Sequence, residues 1–212
     1  MKAIICGHTG ATGMFVLDEL VAADWIESIV TLGRREYPKY ANHPKVTQIV
    51  VPDMSDLSGV SLDSIGAVDL AFDLIATSVK DAFNGEEAYR KVDVEMTSEF
   101  ARLAKKAGAT FIGAIGMVEM KSYDYASKAK RDFEEYIKTL GFARIAVLKP
   151  KWVDREISTK WYENFYTLFG LLATKASHMA RCIAWAAKNQ TEDIRMYDKK
   201  EIKQLGTRGV LQ

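Results

Sequence analysis

The chain of 212 residues carries only two cysteines, three histidines and four prolines, and neither sign of charge is in excess: 29 lysines and arginines stand against 28 aspartates and glutamates. Cys6 closes an apolar run and Cys182 sits in a helical pattern, so two buried free thiols are expected rather than a disulfide. His8, His43 and His178 are scattered, and no HxxxH or CxxC spacing brings ligands together, so no metal is expected. A serine hydrolase would need a GxSxG elbow, which is missing. The charge balance gives no global attraction to nucleic acid or an anionic membrane, and the basic stretch from Lys149 to Arg155 is interrupted by acid. No apolar run reaches the length of a membrane span or a signal-peptide core. The default address is therefore the cytoplasm, with neither nucleic acid nor membrane as partner. No repeat and no linker rich in proline, glycine or serine divides the chain, so residues 1–212 are expected to form one domain.

What is present is an alternation of short β-like runs with longer helical ones. Strands are predicted at Ala3–Cys6, Ser28–Leu32, Val46–Val51, Val68–Ile75, Thr110–Ile115 and Ala143–Leu148. Between them lie helical patterns at Ala11–Ala23, Glu86–Ala107 and Ser127–Leu140, the last two stopped by Gly108 and Gly141. A further helix is predicted from about Ser177, a candidate N-cap, to Lys188. Strands joined by helix-length segments require right-handed crossovers. The expected class is α/β: a doubly wound parallel sheet of the Rossmann type, helices on both faces, with a small C-terminal helical lobe.

Gly7-His8-Thr9-Gly10-Ala11-Thr12-Gly13 lies between the first strand and the first helix. In that context a GxxGxxG run predicts a dinucleotide site. Gly7 permits the turn off the strand, Gly10 the approach of a pyrophosphate, and Gly13 close packing of helix on sheet. The phosphates would meet amides at the helix N-terminus from Ala11 onward, with Thr9 and Thr12 adding hydroxyls. His8 is read as a solvated bystander. Gly33 stands where an NAD-selective site places a carboxylate, and Arg34 and Arg35 follow it. A glycine leaves room for a 2′-phosphate that the arginines could clamp, so NADP, with NADPH preferred over NADH, is the expected cofactor. Asp53 after the third strand is a candidate adenine ligand, with a plain turn as its alternative. Ala76 and Thr77 after the fourth strand and Pro150 after the sixth complete the predicted cofactor contacts.

These motifs, together with Ala126-Ser127-Lys128, Val147-Leu148-Lys149-Pro150 and Glu201-Ile202-Lys203-Gln204-Leu205-Gly206, resemble an atypical short-chain dehydrogenase/reductase. The likeness is closest to the Tat-interacting-protein-like and NmrA-like group. The resemblance implies a serine, tyrosine and lysine at the active site, the lysine binding the nicotinamide ribose and lowering the tyrosine's pKa. Lys128 and Tyr125 are the residues to which those roles would fall. The pattern is broken, however. Asp124 stands four residues before Lys128, Tyr123 and Tyr125 flank that slot, no serine follows the fifth strand, and Ser122 is distant. The expected function is thus an NADPH-binding oxidoreductase acting on a small carbonyl or sugar-like substrate. Its alternative is a non-catalytic NAD(P)H-binding regulator or interaction protein. Residues 151–190 are expected to contribute the substrate-side lobe, where Trp161, Tyr162, Phe165, Tyr166 and Phe169 read as packing and Trp152 as the best pocket candidate. By resemblance, helices 86–107 and 127–140 would pair two subunits in a homodimer.

Overall fold

In the computed structural model, which describes residues 1–77, 85–119, 124–156 and 173–207, the central strands are buried along nearly their whole length and apolar apart from Lys2, Asp73 and Arg144 at their ends. β1 (Lys2–Cys6), β4 (Leu70–Asp73), β5 (Phe111–Ile115) and β6 (Arg144–Leu148) therefore suit a sheet covered on both faces, as parallel strands require. β2 (Ser28–Gly33) and β3 (Val46–Val50) extend it on one side. With a last strand β9 at Ile194–Tyr197, the strand order is β3-β2-β1-β4-β5-β6-β9, and every pairing is parallel. β9 is a seventh strand absent from the sequence reading. Its run Ile-Arg-Met-Tyr has one buried residue, which is too little apolar signal to separate an edge strand from a loop.

Alternation along the strands divides the core between the two faces. Ala3, Ile5, Phe72, Phe111 and Leu148 pack under α1 (Ala11–Ala22) and α6 (Ala176–Asn189). Ile4, Cys6, Ala71, Ile112 and Val147 pack under α4 (Thr97–Lys106) and α5 (Asp124–Thr139). The predicted helix 86–107 is realised as α3 (Gly85–Arg90), a π-helical turn at Lys91–Met96, and α4. A single α2 turn (Leu62–Ile65) precedes β4. β7 (Val153–Asp154) and β8 (Thr174–Lys175) form a two-stranded ribbon beside the main sheet.

Two features of the C-terminal region depart from expectation. Met179, Ala180, Ile183 and Ala187 place α6 in the helical layer against the sheet, so it belongs to the core and not to a separate lobe. α7 (Lys199–Thr207) then docks on α6 where Gly206 lies so close that a Cβ would sit 2.5 Å from His178 Cα. A reciprocal capping box starts α7: the Glu201 amide donates to Asp198 Oδ1 at 2.8 Å and the Asp198 amide to Glu201 Oε2 at 3.0 Å. The N-cap of α6 is Lys175 and not Ser177, whose amide donates instead to Glu156 Oε2 at 2.8 Å. Trp161, Tyr162, Phe165, Tyr166 and Phe169 lie outside the described residues, as do Ser122 and Tyr123.

Candidate functional site

The sheet order reverses direction between β1 and β4, and the crevice at their carboxyl ends is where such folds take ligands. Gly7 leaves β1 there with φ +69°, and a Cβ on it would lie 2.5 Å from the backbone carbon of Leu74. Only glycine tolerates both that dihedral and that approach. Gly13 is as tightly held, since its Cβ would fall 2.0 Å from the Gly7 carbonyl oxygen. Gly10, between them, is exposed, and a Cβ there would meet nothing but Gly7 O at 3.2 Å. α1 begins at Gly10 with no side-chain cap and no acid in its first turn, leaving its first amides without the usual carboxylate or hydroxyl. The loop is thus a cradle that a Cβ would fill, facing a helix N-terminus that favours an anion. Ala11 lies partly buried at its floor, Thr12 is buried and Thr9 half-buried at its rim.

At the end of β2 the arrangement differs from expectation. Arg34 and Arg35 are exposed, and neither is in an ion pair among the described residues. The space over Gly33, however, is occupied: a Cβ would lie 2.7 Å from His8 Cε1. His8 is 2% exposed, not the solvated bystander its loop position suggested. Burial pushes its pKa down, and the Arg35 charge adds to that, while the nearby backbone of Leu32 and Arg35 works the other way. Asp53 is an exposed turn residue whose Oδ1 accepts from the Ser55 amide at 2.9 Å and the Ser55 hydroxyl at 2.6 Å. Those bonds hold its carboxyl below the usual range. Ala76 is exposed at the crevice, Thr77 is half-buried beside it, and Pro150 is buried past β6.

On α5 the structure moves the emphasis to a different lysine. Lys128 is exposed, on the solvent side of the helix, because Ala126, Ala129, Phe133 and Ile137 define the buried stripe. Lys130 lies on that stripe. Its Nζ is 2.6 Å from Oδ1 of Asp93, a close ion pair without hydrogen-bond alignment, and both groups are buried. Asp93 comes from the π-helical turn, a feature common at functional sites. Its second oxygen accepts from the Thr77 amide at 3.0 Å, which ties the loop after β4 to α5. Four residues before Lys130 stands Ala126, so no phenol occupies the position one turn earlier. Tyr125 instead packs edge-on against Tyr89, centroids 5.6 Å apart.

A second buried carboxyl, Asp73, ends β4. Cys6 Sγ and the Ile75 amide both donate to its Oδ1 at 3.3 Å. Burial raises its pKa to about 7, against the lowering effects of the Cys6 bond and the Lys130 charge. The place of a serine after β5 is taken by Gly116, where a Cβ would meet Glu134 Oε1 at 2.5 Å. Glu134 itself pairs with Lys149 at 2.8 Å. Sequence reasoning missed Lys130, Asp93 and Asp73. The signal for Lys130 was the apolar stripe of α5, which puts 126, 129, 130, 133 and 137 on one face and 128 off it. Beyond the ends of β5, β6 and β9, an open recess of about 510 Å³ is lined by Val118, Lys151, Asp198, Lys199, Lys200 and Lys203. Trp152 is exposed next to it.

No family model matches the chain. Protein FMP52, mitochondrial, of Meyerozyma guilliermondii is 30% identical over 168 residues, 77% of this chain and 71% of that protein. The chain belongs to the FMP52 family. Protein fmp52-1, mitochondrial, of Aspergillus oryzae is 30% identical over 151 residues, 69% of this chain and 63% of its own length. The chain thus spans just under two thirds of several curated FMP52 relatives. Their names carry neither the Tat-interacting-protein-like nor the NmrA-like grouping. They also overturn the cytoplasmic expectation, since these relatives are named as mitochondrial. A default address drawn from the lack of a long apolar run was bound to be weak, because the composition of a folded domain does not report its compartment. Among solved structures, MoeE5 in complex with UDP-glucose and NAD superimposes with a TM-score of 0.72 at 15% identity, covering 93% of this chain and 75% of that one. DesIV, a dTDP-glucose 4,6-dehydratase from Streptomyces venezuelae with NAD and TYD bound, gives 0.71 at 14%, covering 97% and 80%. At such identities the likeness establishes the Rossmann fold and nothing finer.

Proposed function

We propose that this FMP52-family chain is a mitochondrial NADP(H)-binding oxidoreductase of the atypical short-chain dehydrogenase type, acting on a small carbonyl or sugar-like substrate. One observation carries the reading: the 7–13 loop is a glycine cradle at an uncapped helix N-terminus, placed at the sheet's switch point. Gly7, Gly10 and Gly13 would hold the diphosphate, with Thr9 and Thr12 at its sides and the Ala11 amide beneath. Arg34 and Arg35 would face the adenosine end, where two exposed cations favour the 2′-phosphate of NADP(H) over the bare ribose of NAD(H). Ala76, Thr77 and Pro150 would line the remaining length. Bound there, the nicotinamide supplies hydride transfer. NAD in both solved neighbours and UDP-glucose in MoeE5 are ligands of the chemistry proposed here, and the lysine-lined recess beyond β5, β6 and β9 suits an anionic substrate. A homodimer through α4 and α5 belongs to the same proposal.

A second reading, a cofactor-binding regulator without turnover, is favoured by the chemistry of α5. Lys130 is committed to Asp93, Ala126 stands where the acid would be, and Glu134 fills the serine position. Calorimetric titration with NADPH and NADH tests the binding, with NADPH expected to bind tighter. No heat from either coenzyme, or a preference for NADH, rejects the respective part of the proposal. Absorbance of NADPH in the presence of a carbonyl panel separates the two readings, and uniformly flat traces leave only the regulator.

A further inference from the structure

We infer that His8 is a ligand for the 2′ position of the adenosine ribose, its imidazole sharing the 2′-phosphate of NADP(H) with Arg34 and Arg35. The inference rests on the dinucleotide reading and deepens it by naming the residue that decides cofactor choice. In NAD-selective Rossmann sites a carboxylate at the end of β2 holds the ribose hydroxyls. Here that position is Gly33, and the volume its side chain would need is filled by the His8 ring, with Cε1 at 2.7 Å and Nδ1 at 3.4 Å from the Cβ position. An imidazole therefore stands where a carboxylate would, and no acid can be accommodated beside it.

The ring is buried beside the Leu32 and Arg35 backbone, yet neither nitrogen makes a hydrogen bond of good geometry. A buried imidazole left in that state is costly, because at least one nitrogen is an N–H donor whatever the tautomer. A ribose hydroxyl could satisfy one such bond. A phosphate has three acceptor oxygens and can take the imidazole and both guanidinium groups together, with each bond strengthened by charge. The charged groups around the ring are those of the turn after β2, namely Arg34, Arg35 and Glu36. Strand β2 and the loop from Gly7 to Gly13 carry no titratable side chain apart from His8 itself. Without ligand, burial and the Arg35 charge disfavour the imidazolium, against the raising effect of the Leu32 and Arg35 backbone. A phosphate dianion between ring and arginine reverses that balance, so NADP(H) binding takes up a proton that NAD(H) binding does not.

The test is the ratio of Kd for NAD⁺ to Kd for NADP⁺, measured by fluorescence titration at about pH 6 and about pH 8 in the wild type and in His8→Gln. The wild-type ratio, divided by that of His8→Gln, is expected to be about tenfold larger at the lower pH, the size of one charge-assisted bond. The variant serves as reference because the phosphate's own second ionisation, near pH 6, acts in the opposite sense in both proteins. Its NADP⁺ affinity should fall by more than its NAD⁺ affinity, because the 2′ hydroxyl of NAD⁺ loses at most one uncharged bond. Equal loss of both coenzymes, or a ratio with the same pH dependence in both proteins, overturns the assignment even where NADP⁺ remains preferred. Should the variant not fold, proton NMR of the wild type decides. Adenosine with phosphates at the 2′ and 5′ positions must raise the titration midpoint of one of the three histidines, and adenosine 5′-phosphate must leave it in place. No movement, or equal movement with both ligands, refutes the proposal. If the wild type binds neither coenzyme, the dinucleotide reading itself is lost and this inference with it.

Discussion

Replacing Lys130 by methionine tests which lysine of α5 the fold depends on. Met preserves most of the side-chain volume but removes the ammonium, leaving the Asp93 carboxylate fully buried with the Thr77 amide as its remaining hydrogen-bond donor among the described residues. Removing one member of a buried ion pair costs about 3–5 kcal/mol, mostly from the uncompensated charge left behind. For a domain of this size each kcal/mol moves Tm by about 2–4 °C, so a fall of about 6–20 °C is expected. Lys128→Met, on the exposed face, should stay within about 0.5 kcal/mol of wild type. The double variant Lys130→Met with Asp93→Asn removes both charges while the amide oxygen still accepts from Thr77. It should therefore recover much of the loss, since a buried pair exchanged for a neutral one is close to neutral in stability. Thermal unfolding of these three variants and of Asp93→Asn alone, followed by circular dichroism, supplies the four numbers. The reasoning is refuted if Lys130→Met melts with Lys128→Met, or if the losses of the two single variants simply add in the double.

Three further outcomes follow from the same geometry. Gly13→Ala drives a Cβ into the Gly7 carbonyl, so coenzyme affinity should fall by about tenfold or more and stability by about 1–3 kcal/mol, as overpacking does; titration and melting of the purified variant check both, and unchanged binding contradicts the cradle. Asp73 releases its proton near 3.8 when unfolded but near 7 in the native protein, so between those values the folded state binds more protons and this group's contribution to stability falls as pH rises. Asp73→Asn should flatten that part of the profile in urea unfolding between about pH 4.5 and about pH 7.5, and parallel profiles would show that the carboxyl is ionised throughout. Gly33→Asp alone should not convert the site to NADH, because the new carboxylate collides with the His8 ring. Only with His8→Ala beside it should NADH affinity rise, and a gain in the single variant would show the space over residue 33 to be free.

Much of the site's cofactor half was legible because glycine spacing is a backbone requirement. The loop 7–13 turns off a strand, starts a helix and, in the proposed function, approaches an anion, and three glycines suit those tasks. The chemical half was not legible in the same way. Lys128 follows a serine in a familiar-looking run, whereas Lys130 is marked only by the phase of the apolar residues around it. Helical phase is a sum over Ala126, Ala129, Phe133 and Ile137, and a two-residue error in register changes which lysine is buried. Asp93 was hidden for a related reason: it belongs to a π-helical turn, whose extra residue shifts every later side chain relative to an ordinary helix. His8 was misjudged because a loop position says nothing about a neighbouring strand's missing side chain.

The sequence alone determined the parallel α/β architecture, the position of the glycine loop and the places of the first six strands along the chain, since these follow from local periodicity and from glycine's freedom at φ values other residues avoid. Tertiary structure alone decided that β9 joins the sheet, that α6 is core, that the buried lysine is Lys130 with Asp93 as its counter-ion, and that His8 fills the space left by Gly33. Each of those depends on contacts between segments far apart in the chain, and no local pattern encodes the partner.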